Sequence, residues 1–431
     1  MTPQHPQPTR RTFLQTASGA GAALAGALAA PRAVHAGADE TLRVGLVGCG
    51  NRGKGAALDA LAADPQARLV AVADVFADAA QRATEDLQHD ETLGPRAAVD
   101  PERVFVGFDA YKQLIDSGVD VVILATPPHF RPAHLSYAVA AGKHCFVEKP
   151  VAVDAPGVRE VMAACEEARR RKLSIVSGLC WRYELGMREC VRQVVEERAI
   201  GNVVAIETRY LANLLWHRGD DPQWSPMEKQ VRNWLYHTWL SGDHILEQAV
   251  HSIDKAAWIL GDVAPLKAVA LGGRQQRTDP KYGDVYDHFS VFYEFPEGVR
   301  VSFSCRQQDR CAAEVEDRIL GAEGVMELVA HKRYDRAGNE AWRYRGPKPS
   351  MYRVEHQEMF AGIRAGRPID NGHYMCHSTL LALMGRQAAY TGAMVTWDQC
   401  LNGEERLGPT EYQWGDAPEA IVPVPGRSTL A

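Results

Sequence analysis

The stretch Leu42-Arg43-Val44-Gly45-Leu46-Val47-Gly48-Cys49-Gly50-Asn51-Arg52-Gly53 decides the fold of this chain. A β-rich apolar run ends in three glycines spaced G-x-G-x-x-G, and the helical pattern KGAALDALAA (54–63) follows at once. The order is strand, tight turn, helix. Gly48 permits the turn, Gly50 lets the backbone approach a pyrophosphate, and Gly53 lets helix and strand pack closely. The helix N-terminus offers unpaired N–H groups to phosphate. Glycine turns also occur without a ligand, so the surroundings must carry the reading.

Downstream the same alternation recurs. The runs ARLVAVADV (67–75), VDVVILAT (119–126) and KHCFVEK (143–149) are separated by the helical stretches DAAQRATEDLQ (78–88) and RPAHLSYAVAAG (131–142). Continuous apolar strands joined by helices imply a parallel sheet covered on both faces. A polar excursion (89–103) precedes a short strand near Val104, and a bridging helix (about 155–171) leads to the strand LSIVSGL (173–179). The expectation for residues 41–180 is therefore an α/β Rossmann domain.

After about Leu185 the character changes. GNVVAIETRYL (201–211) and HFSVFYEFPEGVRVSFSCRQQ (288–308) alternate like half-buried strands, with Pro296-Glu297-Gly298 as a hairpin turn. Helices at about 244–260, 351–365 and 374–391 are expected to cover one face of an antiparallel sheet. Residues 181–400 thus read as an α+β domain for substrate and oligomer contacts, and 401–431 as a Gly- and Pro-rich tail wrapping the surface.

The N-terminus reads as an address. TRRTFLQ (9–15) precedes an apolar run from Ala17 to Ala30 and the small-residue pattern Ala33-Val34-His35-Ala36. This implies a twin-arginine (Tat) signal, 1–36, cleaved near Ala36, and a periplasmic or otherwise extracytoplasmic destination. The mature chain has no expected membrane span. The net charge of -6 argues against nucleic acid. Nine cysteines without a CxxC pair read as mostly buried thiols, with Cys305 and Cys311 the one pair able to join after export. His373 and His377 have helical ligand spacing but no evident third ligand, so no metal is expected.

Candidate site residues follow from the strand ends. Asp74 closes the second strand 26 residues after Gly48, where an acid binds the adenosine ribose. Its charge would repel a 2′-phosphate, favouring NAD over NADP. With Gly48, Gly50, Asn51, Arg52 and Gly53 it makes the adenosine and pyrophosphate side. Ala125, Thr126 and Pro127 end the fourth strand on the nicotinamide side; His129 reads equally as a site residue or a loop histidine. Glu148 and Lys149 end the fifth strand, and Pro150 holds Lys149 extended. A lysine there can donate to a substrate oxygen and stabilise charge on it.

The G-x-G-x-x-G turn, the acid after strand two, ATP (125–127) and AGKHCFVEKPVAVD (141–154) together resemble the Gfo/Idh/MocA oxidoreductases. The resemblance covers nearly the whole mature chain. It implies a Rossmann domain plus a domain with a large open, mostly antiparallel sheet, association through that sheet into a homo-oligomer, and an NAD cofactor. It also places Glu247 and His251 of EQAVHSID (247–254) at the family's carboxylate and histidine positions. Spaced i, i+4, they can share one helix face. His251 would accept a hydroxyl proton while hydride leaves the same carbon, and Glu247 would orient it or the substrate. Glu for Asp at 247, Ala249 for glycine and Arg131 for a histidine depart from the family pattern.

The segment 214–244 holds Trp216, Trp224, Trp234 and Trp239 beside Arg232, Tyr236 and His237. Flat rings suit a sugar or polyol, and equally suit sheet cover or a subunit contact. Arg232, Trp234, Tyr236 and His237, with Arg182 and Tyr183, are the candidate substrate residues. The expected activity is oxidation of a sugar or cyclic polyol with tightly bound NAD, in the manner of an inositol dehydrogenase. Export of a folded protein with its cofactor also allows a redox-neutral glycoside hydrolase that oxidises, eliminates, hydrates and reduces.

Overall fold

The computed structural model describes residues 40–429; the expected signal and its cleavage point lie outside them. The first sheet has six parallel strands in the order β3-β2-β1-β4-β5-β6. It is built from β1 (Leu42–Val47), α1 (Asn51–Ala63), β2 (Ala67–Asp74), α2 (Ala77–Gln88), β3 (Val104–Val106), α3 (Ala110–Asp116), β4 (Val121–Leu124), α4 (Arg131–Ala140), β5 (His144–Val147), α5 (Ala155–Arg170) and β6 (Ile175–Ser177). The strand order reverses beside β1, so a crevice opens at the carboxyl ends of β1 and β4. Every residue of β4 and β5 is buried, which explains their unbroken apolar character. Asp154 caps α5 by accepting the Gly157 N–H at 2.8 Å, and Arg169 and Arg170 close its last turn.

The rest comprises α6 (Leu185–Val195), β7 (Val203–Ala212), α7 (Pro226–Arg232), α8 (Thr238–Ser241), α9 (His244–Glu247), α10 (Val250–Ile259), β8 (Lys267–Gly273), β9 (His288–Glu294), β10 (Arg300–Gln307), β11 (Glu314–Gly321), β12 (Gly324–Glu327), β13 (Lys332–Asp335), β14 (Glu340–Arg343), α11 (Met351–Arg364), α12 (Gly372–Thr391), β15 (Val395–Thr396) and α13 (Trp397–Leu401). Nine strands form the second sheet, in the order β14-β13-β12-β11-β7-β10-β9-β8-β15. All neighbours are antiparallel except β10 and β7, which run parallel. The turn at 296–298 joins β9 to β10 as expected, with Glu297 and Gly298 at positive φ.

Two helices depart from the sequence reading. The stretch 244–260 splits into α9 and α10, with Gln248 and Ala249 as an irregular joint. Helix α11 packs on α1, and its Val354, Met359, Phe360 and Ile363 join the core of the first sheet rather than covering the second. Its apolar stripe is the same whichever layer it covers, so only the chain's path decides.

Among the described residues no helix is long and apolar enough to cross a membrane. All nine cysteines are free; Cys305 is buried with Sγ 3.4 Å from His244 Nε2, which removes it from Cys311.

Candidate active site

The turn between β1 and α1 is shaped by contact. Gly48 has φ +97°, and a Cβ there would meet the Ala125 and Thr126 backbone at 2.6 Å. A Cβ on Gly53 would fall 1.9 Å from the Gly48 carbonyl oxygen. Gly50 is different: a Cβ would meet nothing within 4 Å. Gly50 is also the N-cap of α1 and provides no side-chain cap, so the first N–H groups of that helix face open space.

That space belongs to a cavity of about 610 Å³ between the two sheets' domains. The glycine turn, Asp74, and Ala125, Thr126 and Pro127 line it from one side; Trp216, Trp224, Arg232, Trp234 and Glu247 line it from the other. Asp74 accepts the Cys49 N–H at 2.7 Å and the Phe76 N–H at 3.0 Å, which locks the turn to the end of β2. Burial raises its pKa, partly offset by those two N–H groups. A cavity with a helix N-terminus opening into it and a carboxylate at the next strand end fits a dinucleotide.

At the Glu247 end of the cavity sit the groups for chemistry, with Lys149 and His251 beside Glu247 rather than in the lining itself. The Lys149 ammonium donates to the Glu247 carbonyl oxygen. Glu247 Oε2 and His251 Nδ1 are buried and have no hydrogen-bond partner. Burial, then the charges of Lys149, Lys255 and Arg52, hold the His251 pKa well below the usual imidazole range, so the ring is neutral. Buried polar atoms without partners cost stability, and two together beside a lysine mark a place for a polar ligand. Arg131, unassigned from the sequence, positions this end. Its buried guanidinium donates to Thr126 O at 2.6 Å and to Pro150 O, tying the mouths of β4 and β5 together. Burial lowers its pKa to about 10, which keeps it charged.

Several expected site residues are placed elsewhere. Glu148 is buried in a slot at Gly178 and accepts from Arg52 Nε, so it braces the turn from beneath. The Arg52 guanidinium also reaches Glu355 of α11 at 3.3 Å, so two acids hold this lining residue from behind. Burial opposes its charge, and Glu148 and Glu355 more than offset that, so its pKa is raised. His129 turns outward to hydrogen-bond the Tyr412 hydroxyl at 2.7 Å. Arg182 forms a buried ion cluster with Asp254 (2.9 Å) and Asp262 (2.6 Å) and stacks 3.9 Å over Tyr374. Tyr183 donates to Asn371 at 2.9 Å. Neither lines the cavity; a buried arginine looks like a cleft arginine when its acids come from distant sequence.

The aromatic segment also divides. Trp234 lines the cavity. Tyr236 is buried and its hydroxyl donates to Leu215 O (2.9 Å) and Trp216 O (3.1 Å), so it supports the lining loop from behind. His237 is buried beside Gly283, and burial lowers its pKa to about 4. Arg232 lies 3.9 Å over Phe76 and pairs with Asp78 at 3.2 Å, which places it at the adenosine end rather than with the substrate groups. The aromatic wall of Phe76, Phe108 and Phe130 was missed. Its only signal was position, since each follows a strand of the first sheet.

Residues 42–176 match the model of an oxidoreductase family with an NAD-binding Rossmann fold, and residues 189–327 match the GFO/IDH/MocA C-terminal domain. The chain is similar to 2,7-anhydro-N-acetylneuraminate hydratase of Escherichia coli, 27% identical over 180 residues; the match covers 42% of this chain and 44% of that protein, less than half of each. Inositol 2-dehydrogenase 3 of Saccharopolyspora erythraea is 25% identical over 288 residues, covering 67% of this chain and 73% of that one. The solved structure of a levoglucosan dehydrogenase in complex with NADH and levoglucosan shares the fold, with a TM-score of 0.64 and 20% identity over 83% of this chain and 99% of that chain.

Proposed function

The chain belongs to the Gfo/Idh/MocA family of oxidoreductases, and on that premise we propose that it oxidises a sugar or cyclic polyol with NAD held tightly in the cavity. The supporting observation is the pair of buried, unpartnered atoms, Glu247 Oε2 and His251 Nδ1, beside Lys149 at the Glu247 end of the cavity. The dinucleotide, when bound, supplies the hydride acceptor. His251, held neutral, accepts the proton of the reacting hydroxyl on its imidazole. Lys149 spends one ammonium hydrogen on the Glu247 carbonyl and keeps others for the reacting oxygen, where its charge favours the alkoxide-like transition state. Glu247 supplies a carboxylate oxygen to a neighbouring hydroxyl and a counter-charge when the proton arrives. Trp216 and Trp234 offer flat faces to the CH side of a ring.

The Asp74 carboxylate at the adenosine end supports NAD over NADP. The twin-arginine leader supports export of the folded, cofactor-loaded protein. An apolar patch on the open sheet supports a homo-oligomer: Val269 opposes Phe292 across β8 and β9, and Leu271 is 71% exposed.

The test is to mix purified protein and NAD with a panel of sugars, polyols and aryl glycosides. A keto-sugar or lactone accumulating with NADH is the expected result. Release of aglycone without net NADH would replace the dehydrogenase reading with the redox-neutral hydrolase. No binding of NAD(H) would overturn both.

A further inference from the structure

Beyond α13 the described tail, 402–429, has no helix or strand, yet it is pinned along its length. Arg159 of α5 donates to Leu401 O (2.7 Å) and Gly403 O (2.8 Å), and the Leu407 N–H donates to Asp154 at 2.9 Å. Further on, Met227 N–H donates to Gly415 O (3.0 Å), Gln230 Nε2 to Pro418 O (2.7 Å) and Tyr286 OH to Pro423 O (2.8 Å). The tail therefore starts on the first domain and ends on the second, crossing outside the cavity.

At the crossing stand Tyr412 and Trp414. Trp414 stacks on Phe76 at 5.5 Å and lies 4.8 Å from Phe108. Tyr412 lies 5.6 Å from Phe108 and 5.3 Å from Phe130, and bonds His129. Phe76, Phe108 and Phe130 line the cavity from the loops after β2, β3 and the end of β4. Each thus has the cavity on one side and the tail on the other. Arg232 of α7 lies over the Phe76 ring and pairs with Asp78, so the loop after β2 is clamped to a helix of the other domain. Both tail rings remain partly exposed, Tyr412 by 40% and Trp414 by 45%. They can lift without opening the core.

We propose that Tyr412 and Trp414 are cofactor-retaining residues: the C-terminal strap latches the three aromatic loops against α7, and the dinucleotide enters or leaves only when the strap lifts. This rests on reading the cavity as a dinucleotide site. A strap of this kind acts on exchange rates more than on equilibrium affinity, because it blocks entry and exit alike. It gives an exported enzyme a physical means of keeping a cofactor that it cannot replace outside the cell.

The experiment measures NADH release and entry by energy transfer from tryptophan to bound NADH. The Tyr412→Phe variant, which removes only the bond to His129, and the Tyr412→Ala/Trp414→Ala double variant are compared with Ile421→Ala, elsewhere on the tail. The double variant is expected to release and take up NADH at least tenfold faster, with Tyr412→Phe between it and wild type and Ile421→Ala unchanged. A double variant that binds NADH with wild-type rates overturns the strap and leaves the cofactor reading standing. Wild-type protein that binds no NADH overturns the cofactor reading itself. Hydrogen exchange on the wild-type protein covers a variant that does not fold. NADH should protect 75–78, 107–110 and 409–416 together, and protection of the loops with no change in the tail overturns the strap.

Discussion

The sharpest consequence of the glycine turn is a contrast between Gly50→Ala and Gly53→Ala. At Gly50 the backbone has φ −70° and ψ 179°, open to any residue, and a Cβ meets nothing within 4 Å. Alanine there should stabilise the protein slightly, by about 0.4–1 kcal/mol, because it restricts the unfolded chain. At Gly53 a Cβ would fall 1.9 Å from the Gly48 carbonyl oxygen, backbone that cannot step aside without opening the turn. Overpacking of that kind costs about 3 kcal/mol, a fall of roughly 6–12 °C in midpoint at the 2–4 °C per kcal/mol of domains this size. The ligand should order the variants differently. The Gly50 methyl stands in front of the first N–H groups of α1. Losing one charge-assisted bond to a pyrophosphate costs about 2 kcal/mol, roughly thirtyfold in Kd. The assay pairs thermal unfolding with NADH fluorescence titration on both variants. A Gly50→Ala protein that binds NADH within twofold of wild type, or that melts as early as Gly53→Ala, would refute the placement of the phosphates.

Other consequences follow from named groups. His251→Ala and Lys149→Met should each cut turnover by at least a hundredfold while leaving NADH affinity within threefold, read by steady-state kinetics beside titration. His356 is fully buried, neither ring nitrogen has a partner, and burial lowers its pKa to about 3. The folded ring stays neutral while the unfolded one takes up a proton below about 6.5. Stability from this group is thus intact above that pH and lost as pH falls towards the folded value, at about 1.4 kcal/mol per pH unit. His356→Phe should remove that share of the slope of stability against pH between 6.5 and 4. Leu271→Arg, on the exposed face of β8 beside the edge strand β15, should shift the proposed oligomer to smaller species on analytical ultracentrifugation without changing the midpoint of the isolated subunit.

The parts legible in the sequence are those decided locally. The β1–α1 turn declares itself because three glycines fall within six residues, Gly48 and Gly53 demanded by close backbone contacts and Gly50 left open at the helix start, and Asp74 by the strand end beside it. Lys149 is placed by its strand end, whereas Glu247 and His251, singled out by the family resemblance, flank the irregular joint between α9 and α10 rather than share one helix face. What could not be read depends on partners far along the chain. Arg182 looked like a cleft residue until Asp254 and Asp262 enclosed it. Glu148 stood in the most distinctive motif, yet it faces Arg52 because Gly178 leaves a slot for its carboxylate. Tyr412 and Trp414 sit in a Gly- and Pro-rich tail with no periodicity, and their partners Phe76 and Phe108 come from the opposite end of the sequence.

The most direct measurement follows a single hydrogen. A sugar or polyol that the protein turns over is prepared with deuterium on the carbinol carbon and mixed with one equivalent of enzyme and NAD. The account predicts deuterium on the reduced nicotinamide ring in the wild type, and transfer at least a hundredfold slower with His251→Ala although NAD remains bound. Oxidation that leaves the deuterium in solvent, or transfer that is undiminished without His251, would contradict it.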